Sequence, residues 1–389
     1  MTGQRLTLTA AITSTTTAAF PAFLAGAVGV QLREDLDFSE GRLGGAIAIY
    51  FFTAAITSTK LGKLAQRLGP TNALRIGCVM SATAMICIAT MADSWPTLYA
   101  FLALAGLSNS LVQPSTNLLL SDRFDDGNLG FAMGLKQSGM PLATLLGGAA
   151  VPVFALTVGW RWAYVAAVAV PAIAFTLLSR VHADMHVAPK RHGRVQTPMG
   201  PLLLLAVAMV FGGAAVTALG GFLVSSAVDS GVPDGLAGWM LTIGSVCGIS
   251  VRLIAGARAD RGTIEPLAAS TVMLALGAIA FAGLAIQDAW AIYAFTPLAF
   301  GAGWAWPGLY HLAVVRRNRE AAAAATGITQ AGAYIGAGGG PLLFGVIVEA
   351  SSYRVAWLVS AAYALIGAAA LVGGQIWLRR LVPTDTVVR

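Results

Sequence analysis

Twelve stretches of about 20 or more apolar residues, nearly free of charge, run through this chain, and that is the length an α-helix needs to cross a bilayer. Their approximate limits are 6–31, 42–61, 72–92, 96–121, 130–156, 161–179, 201–226, 236–257, 266–287, 290–315, 322–348 and 355–378. With no water in the hydrocarbon to satisfy peptide groups, such segments are confined to helices. The predicted fold class is all-α and integral to a membrane. Composition agrees, since 57% of the 389 residues are hydrophobic and 11% charged, too few charges to solvate a soluble protein of this size. Ala25-Gly26-Ala27 has the look of a leader cleavage site, but the first stretch is long and flanked by one basic residue, so it is read as a span.

Lys and Arg are retained on the cytoplasmic side of spans, which sets the orientation. With a cytoplasmic N-terminus, 18 of the 24 basic residues fall in cytoplasmic segments or at cytoplasmic helix ends. Arg33, Arg42, Arg161 and Arg354 fall outside, and Lys136 and Arg252 lie within spans. Both termini are expected in the cytoplasm, in an inner membrane. The net charge of +7 then follows from topology and needs no nucleic-acid partner. Cys78, Cys87 and Cys247 all lie in spans and suggest no disulfide framework.

The chain repeats itself. Gly134-Leu135-Lys136-Gln137-Ser138-Gly139 returns as Gly327-Ile328-Thr329-Gln330-Ala331-Gly332. At a shift of 193 or 194 residues, Gly62 to Arg67 aligns with Gly256 to Arg261, Pro114 with Pro307, and Arg161 with Arg354. Landmarks that keep their order across corresponding spans indicate a duplicated unit. The expected organisation is a bundle at 1–179, a linker at 180–200 and a second bundle at 201–389, each bundle with six spans. The linker is rich in Arg, Lys, His and Pro. His182 and His186 in it have helical metal-pair spacing but no third ligand, so a solvated basic loop is expected and no metal is assigned.

Gly62-Lys63-Leu64-Ala65-Gln66-Arg67-Leu68-Gly69, with its relative Gly256-Ala257-Arg258-Ala259-Asp260-Arg261, resembles the loop signature of the major facilitator superfamily. The resemblance extends over essentially the whole chain through the two-fold arrangement of six spans. It implies two pseudo-symmetric bundles about a central cavity opened alternately to either side, with Gly62, Arg67, Gly69, Gly256, Asp260 and Arg261 as the conformational loop residues. The family's usual acid in the first loop is Gln66 here, while the second loop keeps Asp260. Gly327, Gly336, Gly340, Pro341 and Gly345 also resemble the antiporter glycine motif, but in the eleventh span and not the fifth. Close helix packing also accounts for glycines at that spacing.

No span contains Asp or Glu away from its ends, which argues against a proton antiporter built on a membrane carboxylate. Two cations stand within spans. Lys136 has small helical neighbours, Ala132, Gly139 and Ala143, which mark a protein-facing stripe, although a lysine stem is long enough to snorkel. Arg252 lies on a stripe with Gly244, Gly248 and Gly256. The run from Arg252 through Gly256 to Asp260 resembles the monocarboxylate porters and the oxalate/formate exchanger, in which an arginine at this place binds the substrate carboxylate. An arginine tied to the neighbouring loop fits the same position.

Unpaired positive charge in a low-dielectric cavity attracts an anion, and an arginine offers a carboxylate a two-pronged fork. Arg252 and Lys136 are the candidates for holding it, with Gln137, Gln330 and Asn109 orienting the rest, and Gln113, Trp306 and Tyr334 completing the lining. Inter-helix hydrogen bonding is an equally good use for the two glutamines. His311 is the one span residue that titrates near neutrality; its place near a span end suggests an interfacial role. No nucleotide-binding loop, His-Glu-x-x-His or Gly-x-Ser-x-Gly is found in the chain, so no cofactor and no enzymatic activity are expected. The reading is a monomeric transporter of a small organic anion, most simply a monocarboxylate, working by alternating access. It would work as a uniporter, an exchanger, or a carrier whose coupling proton travels on the substrate or on an outer acid such as Asp35. Multidrug or metabolite efflux is the alternative.

Overall fold

Helices account for all the regular structure among the described residues of the computed structural model, which are 3–124, 126–181, 199–318 and 322–381. The first apolar stretch forms α1 (Gly3–Ala27) and, after a turn at Val28, α2 (Gly29–Leu36). Then follow α3 (Glu40–Leu68), α4 (Pro70–Met91) and α5 (Trp95–Arg123). The fifth apolar stretch is broken into α6 (Asp126–Lys136), α7 (Gly139–Ala150) and a π turn (Val151–Ala155). The sixth gives α8 (Trp160–Ala167) and α9 (Ala169–Ser179). Beyond the connection come α10 (Met199–Asp229), α11 (Asp234–Asp260) and α12 (Pro266–Leu284). The tenth stretch is again interrupted, as α13 (Ala289–Leu298), a π segment (Ala299–Trp304) and α14 (Trp306–Arg317), before α15 (Ala322–Ala350) and α16 (Tyr353–Leu381). Residues 182–198, the greater part of the predicted linker with its two histidines, lie outside the described residues.

Local chemistry sets the ends. Ser39 caps α3 by accepting from the Arg42 amide at 3.4 Å, and Ser94 with Thr97 forms a reciprocal capping box at α5. Gly69, at φ +79°, turns the chain from α3 into α4, with Pro70 at the first helical position.

Among the described residues, nine helical segments are long and apolar enough to cross a membrane. The three predicted spans not among them are α3, α5 and the interrupted α13 to α14. α5 carries Ser108, Asn109, Ser110, Gln113, Ser115, Thr116 and Asn117, a polar load that lipid would not tolerate and a protein interior can satisfy. The same division separates α1 from the sixth stretch. The α1 window is 78% buried in protein, while that of Trp160–Ser179 is 33% buried and correspondingly more apolar. The hydroxyls of Thr13, Thr15 and Thr16 bond back to carbonyls of their own helix, which allows α1 to sit inside.

Small residues let helices cross closely. A Cβ added at Gly332, Gly336 or Gly340 of α15 would lie 2.5, 2.1 or 2.2 Å from the carbonyl oxygens of Ala206, Val210 and Ala214 on α10. The α15 glycines thus serve the α10 contact. Between the two halves, Gly44 approaches the Pro341 carbonyl and Gly148 approaches Gly238 with the same intimacy.

Polar contacts between halves concentrate on the face away from the linker. Gln31 donates to Asp234 at 2.9 Å, and Ser39 donates to Glu349 at 2.9 Å. Thr144 and Ser245 share a hydrogen bond of 2.7 Å, and Thr242 donates to the Leu145 carbonyl at 3.1 Å. That face is closed.

Candidate functional site

The break between α6 and α7 has a chemical cause. In an unbroken helix the Gln137 carbonyl would accept from the amide of residue 141, but that residue is Pro141, which has no N–H. That carbonyl, which takes only a long 3.4 Å bond from the Met140 amide, accepts from Arg252 Nη1 of α11 at 2.8 Å. A second irregularity supplies the other anchor. Where the π segment meets α14, the Gly308 amide bonds the Ala305 carbonyl, leaving the Trp304 carbonyl to accept from Arg252 Nη2 at 2.9 Å. Gly308 also makes room, since a Cβ there would lie 3.0 Å from Arg252 Cγ. The arginine is thereby stretched between a carbonyl of each half.

Arg252 is only 7% exposed, and among the described residues no carboxylate lies within ion-pair distance of it. Its Nε is buried with no partner. Two of its five N–H groups are fixed on main-chain carbonyls, which position the group without neutralising its charge.

This arginine lines a cavity of about 90 Å³ between the halves. From the first half, Asn109 and Gln113 of α5 face it together with Gln137 and Met140. From the second come Trp306 and His311 of α14, Gln330 and Tyr334 of α15, and Met209 and Thr217 of α10. Seven of the eight residues predicted to bind substrate line this one cavity: Arg252, Gln137, Gln330, Asn109, Gln113, Tyr334 and Trp306. The lining contains no Asp or Glu. Four lining residues carry buried polar atoms without a partner: Arg252 Nε, Trp306 Nε1, Gln137 Oε1 and His311 Nε2. Unpaired polar atoms are costly in protein interiors, and their concentration here fits a site that completes its hydrogen bonds with a ligand.

Lys136 is the eighth, and it lies elsewhere. Its ammonium donates to Asn117 Oδ1 of α5 at 2.7 Å, the residue is 2% exposed, and it is absent from the cavity lining. The small-residue stripe does face protein, since Ala132 and Ala143 are fully buried, but it packs against helices and does not open on the cavity.

His311 corrects an expectation in the other direction. It belongs to the cavity wall and not to the membrane interface. Its Nδ1 lies 2.6 Å from the Pro307 carbonyl, a contact that requires the proton on Nδ1. Pro307 was the signal, because it disturbs the helix one turn before. Asp35, expected as an outer proton carrier, is held by Arg161 at 3.2 Å and by the Trp160 indole at 3.1 Å.

Below the cavity, a smaller crevice runs from Arg252 past Gly256 and Gly308 to Asp260. Asp260 pairs with Arg316 of α14 at 2.6 Å, and Arg316 also bonds the Ala259 carbonyl. The loop acid of the second half is thus tied to the helix that carries Trp306 and His311. In the first half Gln66 and Arg67 are exposed at the end of α3, and Gly62 faces Pro114 of α5 at ordinary contact distance. Arg261 is exposed just after α11.

The family model of the Major Facilitator Superfamily matches residues 6–316. The chain belongs to that superfamily. No curated protein matches it. As a facilitator-superfamily member it is a multi-pass membrane transporter. The superfamily's paired loops survive here in unequal form, with the Asp260–Arg316 ion pair in the second copy and Gln66 in the first. Nor does the cavity follow the internal symmetry. Gln137 and Gln330 are equivalent by repeat, yet α15 runs unbroken through Gln330 while the first half is broken at Gln137.

Proposed function

We propose that this transporter moves a small organic anion with one carboxylate by alternating access, and that Arg252 is the group that holds the charge. One observation carries the reading. A buried arginine with no acid partner lines a cavity without Asp or Glu, and its Nε is unsatisfied. Such an environment favours an anion and penalises a cation, because the arginine's charge is uncompensated in a low dielectric. Trp306 Nε1 offers a second donor, and Gln137, Gln330 and Asn109 offer mixed polar groups to the remainder. A single cation in the lining supports one negative group and not two. Lys136 contributes from behind the lining as positive potential, since its ammonium is engaged with Asn117. Met140, Met209, Trp304 and Tyr334 suit a small apolar body. Under the orientation read from the basic residues, the closed face is extracellular.

Uptake and counterflow in proteoliposomes, with a panel of small anions and lipophilic cations, test this. Saturable counterflow of a monocarboxylate whose KM rises steeply in Arg252→Gln is expected. Anion flux unchanged in folded Arg252→Gln would overturn the reading. The methionine and aromatic lining favours a second reading, efflux of a larger apolar compound, which the lipophilic cations would reveal.

A further inference from the structure

Among the carboxylates at the closed face, Glu40 is unlike the others. It opens α3, ahead of the apolar span, and is 9% exposed. Its Oε1 takes two partners: Arg33 Nη2 of its own half at 2.7 Å, and the Tyr353 hydroxyl of α16 from the other half. Its Oε2 is buried with no partner. Glu349 of α15 comes down on the same turn, accepting from Ser39 Oγ at 2.9 Å and the Gly41 amide at 3.2 Å. Asp229, the last residue of α10, is close enough to act on Glu40 electrostatically. The titratable and charged groups around Glu40 are therefore Arg33 from its own half and Tyr353, Glu349 and Asp229 from the other.

We propose that Glu40 is a proton-binding site, occupied through Oε2 when the halves close on the face away from the linker and vacated to the same side when they part. Closure removes water from the carboxylate and brings two acids toward it, against one phenolic donor. Arg33 belongs to the same half and stays with Glu40 in either state. Burial is the largest influence and raises the affinity of Glu40 for a proton above that of an ordinary carboxylate; Arg33 and Tyr353 oppose it, while Asp229 and Glu349 reinforce it. The sign follows from linkage: the closed state binds the proton more tightly than the open one, so acid on that side favours closure and alkali favours opening. The proton adds to Oε2 from water and returns to water on reopening. No charge crosses the membrane, and the site gates transport without driving it.

Distances between spin labels at exposed positions 37 and 351, on opposite halves, test this in detergent without any substrate, and so independently of the anion reading. In otherwise wild-type protein the short-distance population is expected at acidic pH, giving way to a longer one as pH rises. Glu40→Gln should stay short throughout, with the pH dependence lost. Tyr353→Phe removes the donor that favours the charged carboxylate, so its midpoint should move to higher pH. A wild-type distribution indifferent to pH, or a Glu40→Gln distribution that still follows it, overturns the proposal. Should Glu40→Gln not fold, an unmoved midpoint in Tyr353→Phe does the same.

Discussion

Arg252 and Lys136 show how little a residue's place in a span says about its task. Both are buried cations without an acid partner among the described residues, but one contacts carbonyls beside a cavity and the other an amide within a helix pair. Their variants should separate. Arg252→Gln removes a charge-assisted contact of about 1.5–3 kcal/mol, so KM for the anion should rise roughly 10- to 100-fold. Arg252→Lys keeps the charge but cannot span two carbonyls as the guanidinium does, and should recover only part of the loss. Lys136→Gln can still donate to Asn117, and its effect on KM should stay below about tenfold, as expected of a screened potential and not a ligand contact. Initial-rate uptake on folded variants decides this, and equal losses at the two positions would return Lys136 to the binding site.

At the scale of elements, the site depends on helices that fail to be regular. Pro141→Ala would supply an N–H to the Gln137 carbonyl and so compete with Arg252 for it. The expected result is thermal stability equal to or above the parent, with transport reduced; unchanged transport would mean that the break has no functional weight. α15 offers a matched pair of substitutions. An added Cβ at Gly340 would meet the Ala214 carbonyl at 2.2 Å, while at Gly339 it would meet nothing within 4 Å. Gly340→Ala should cost about 1–3 kcal/mol by overpacking, whereas Gly339→Ala should be neutral or gain up to about 1 kcal/mol. Thermal unfolding in detergent compares them directly.

Across the whole molecule, function rests on two halves that close on one face through backbone proximity and polar pairs. Gly148 and Gly238 meet there with no space for a side chain, an added Cβ at Gly148 falling 2.6 Å from the Gly238 carbonyl. Gly148→Val should wedge that face open, abolishing transport while helical content and chromatographic behaviour stay those of the parent. The label distances described for Glu40 would lengthen at all pH values; a variant that closes and transports normally would show that this contact is dispensable.

The membrane-spanning helical class and the family were legible in the residues, because a bilayer leaves an apolar segment few choices beyond a helix of matching length. The repeat was legible too, since duplication leaves spellings such as Gly134 to Gly139 and Gly327 to Gly332. Most of the predicted lining came together for the same reason: polar side chains in apolar helices are excluded from lipid and face the interior. The breaks were not read from the residues: Pro141 and Pro307 stand beside them, but Pro21, Pro114 and Pro341 lie inside unbroken helices. Tertiary structure alone decided where the long side chains end. Lys136 finds Asn117, Arg252 finds the carbonyls of Gln137 and Trp304, and Glu40 meets Tyr353 of the other half. Periodicity reports which face of a helix is dry. It carries no information on which partner, cavity or opposing half covers that face, because these contacts join residues far apart in the chain.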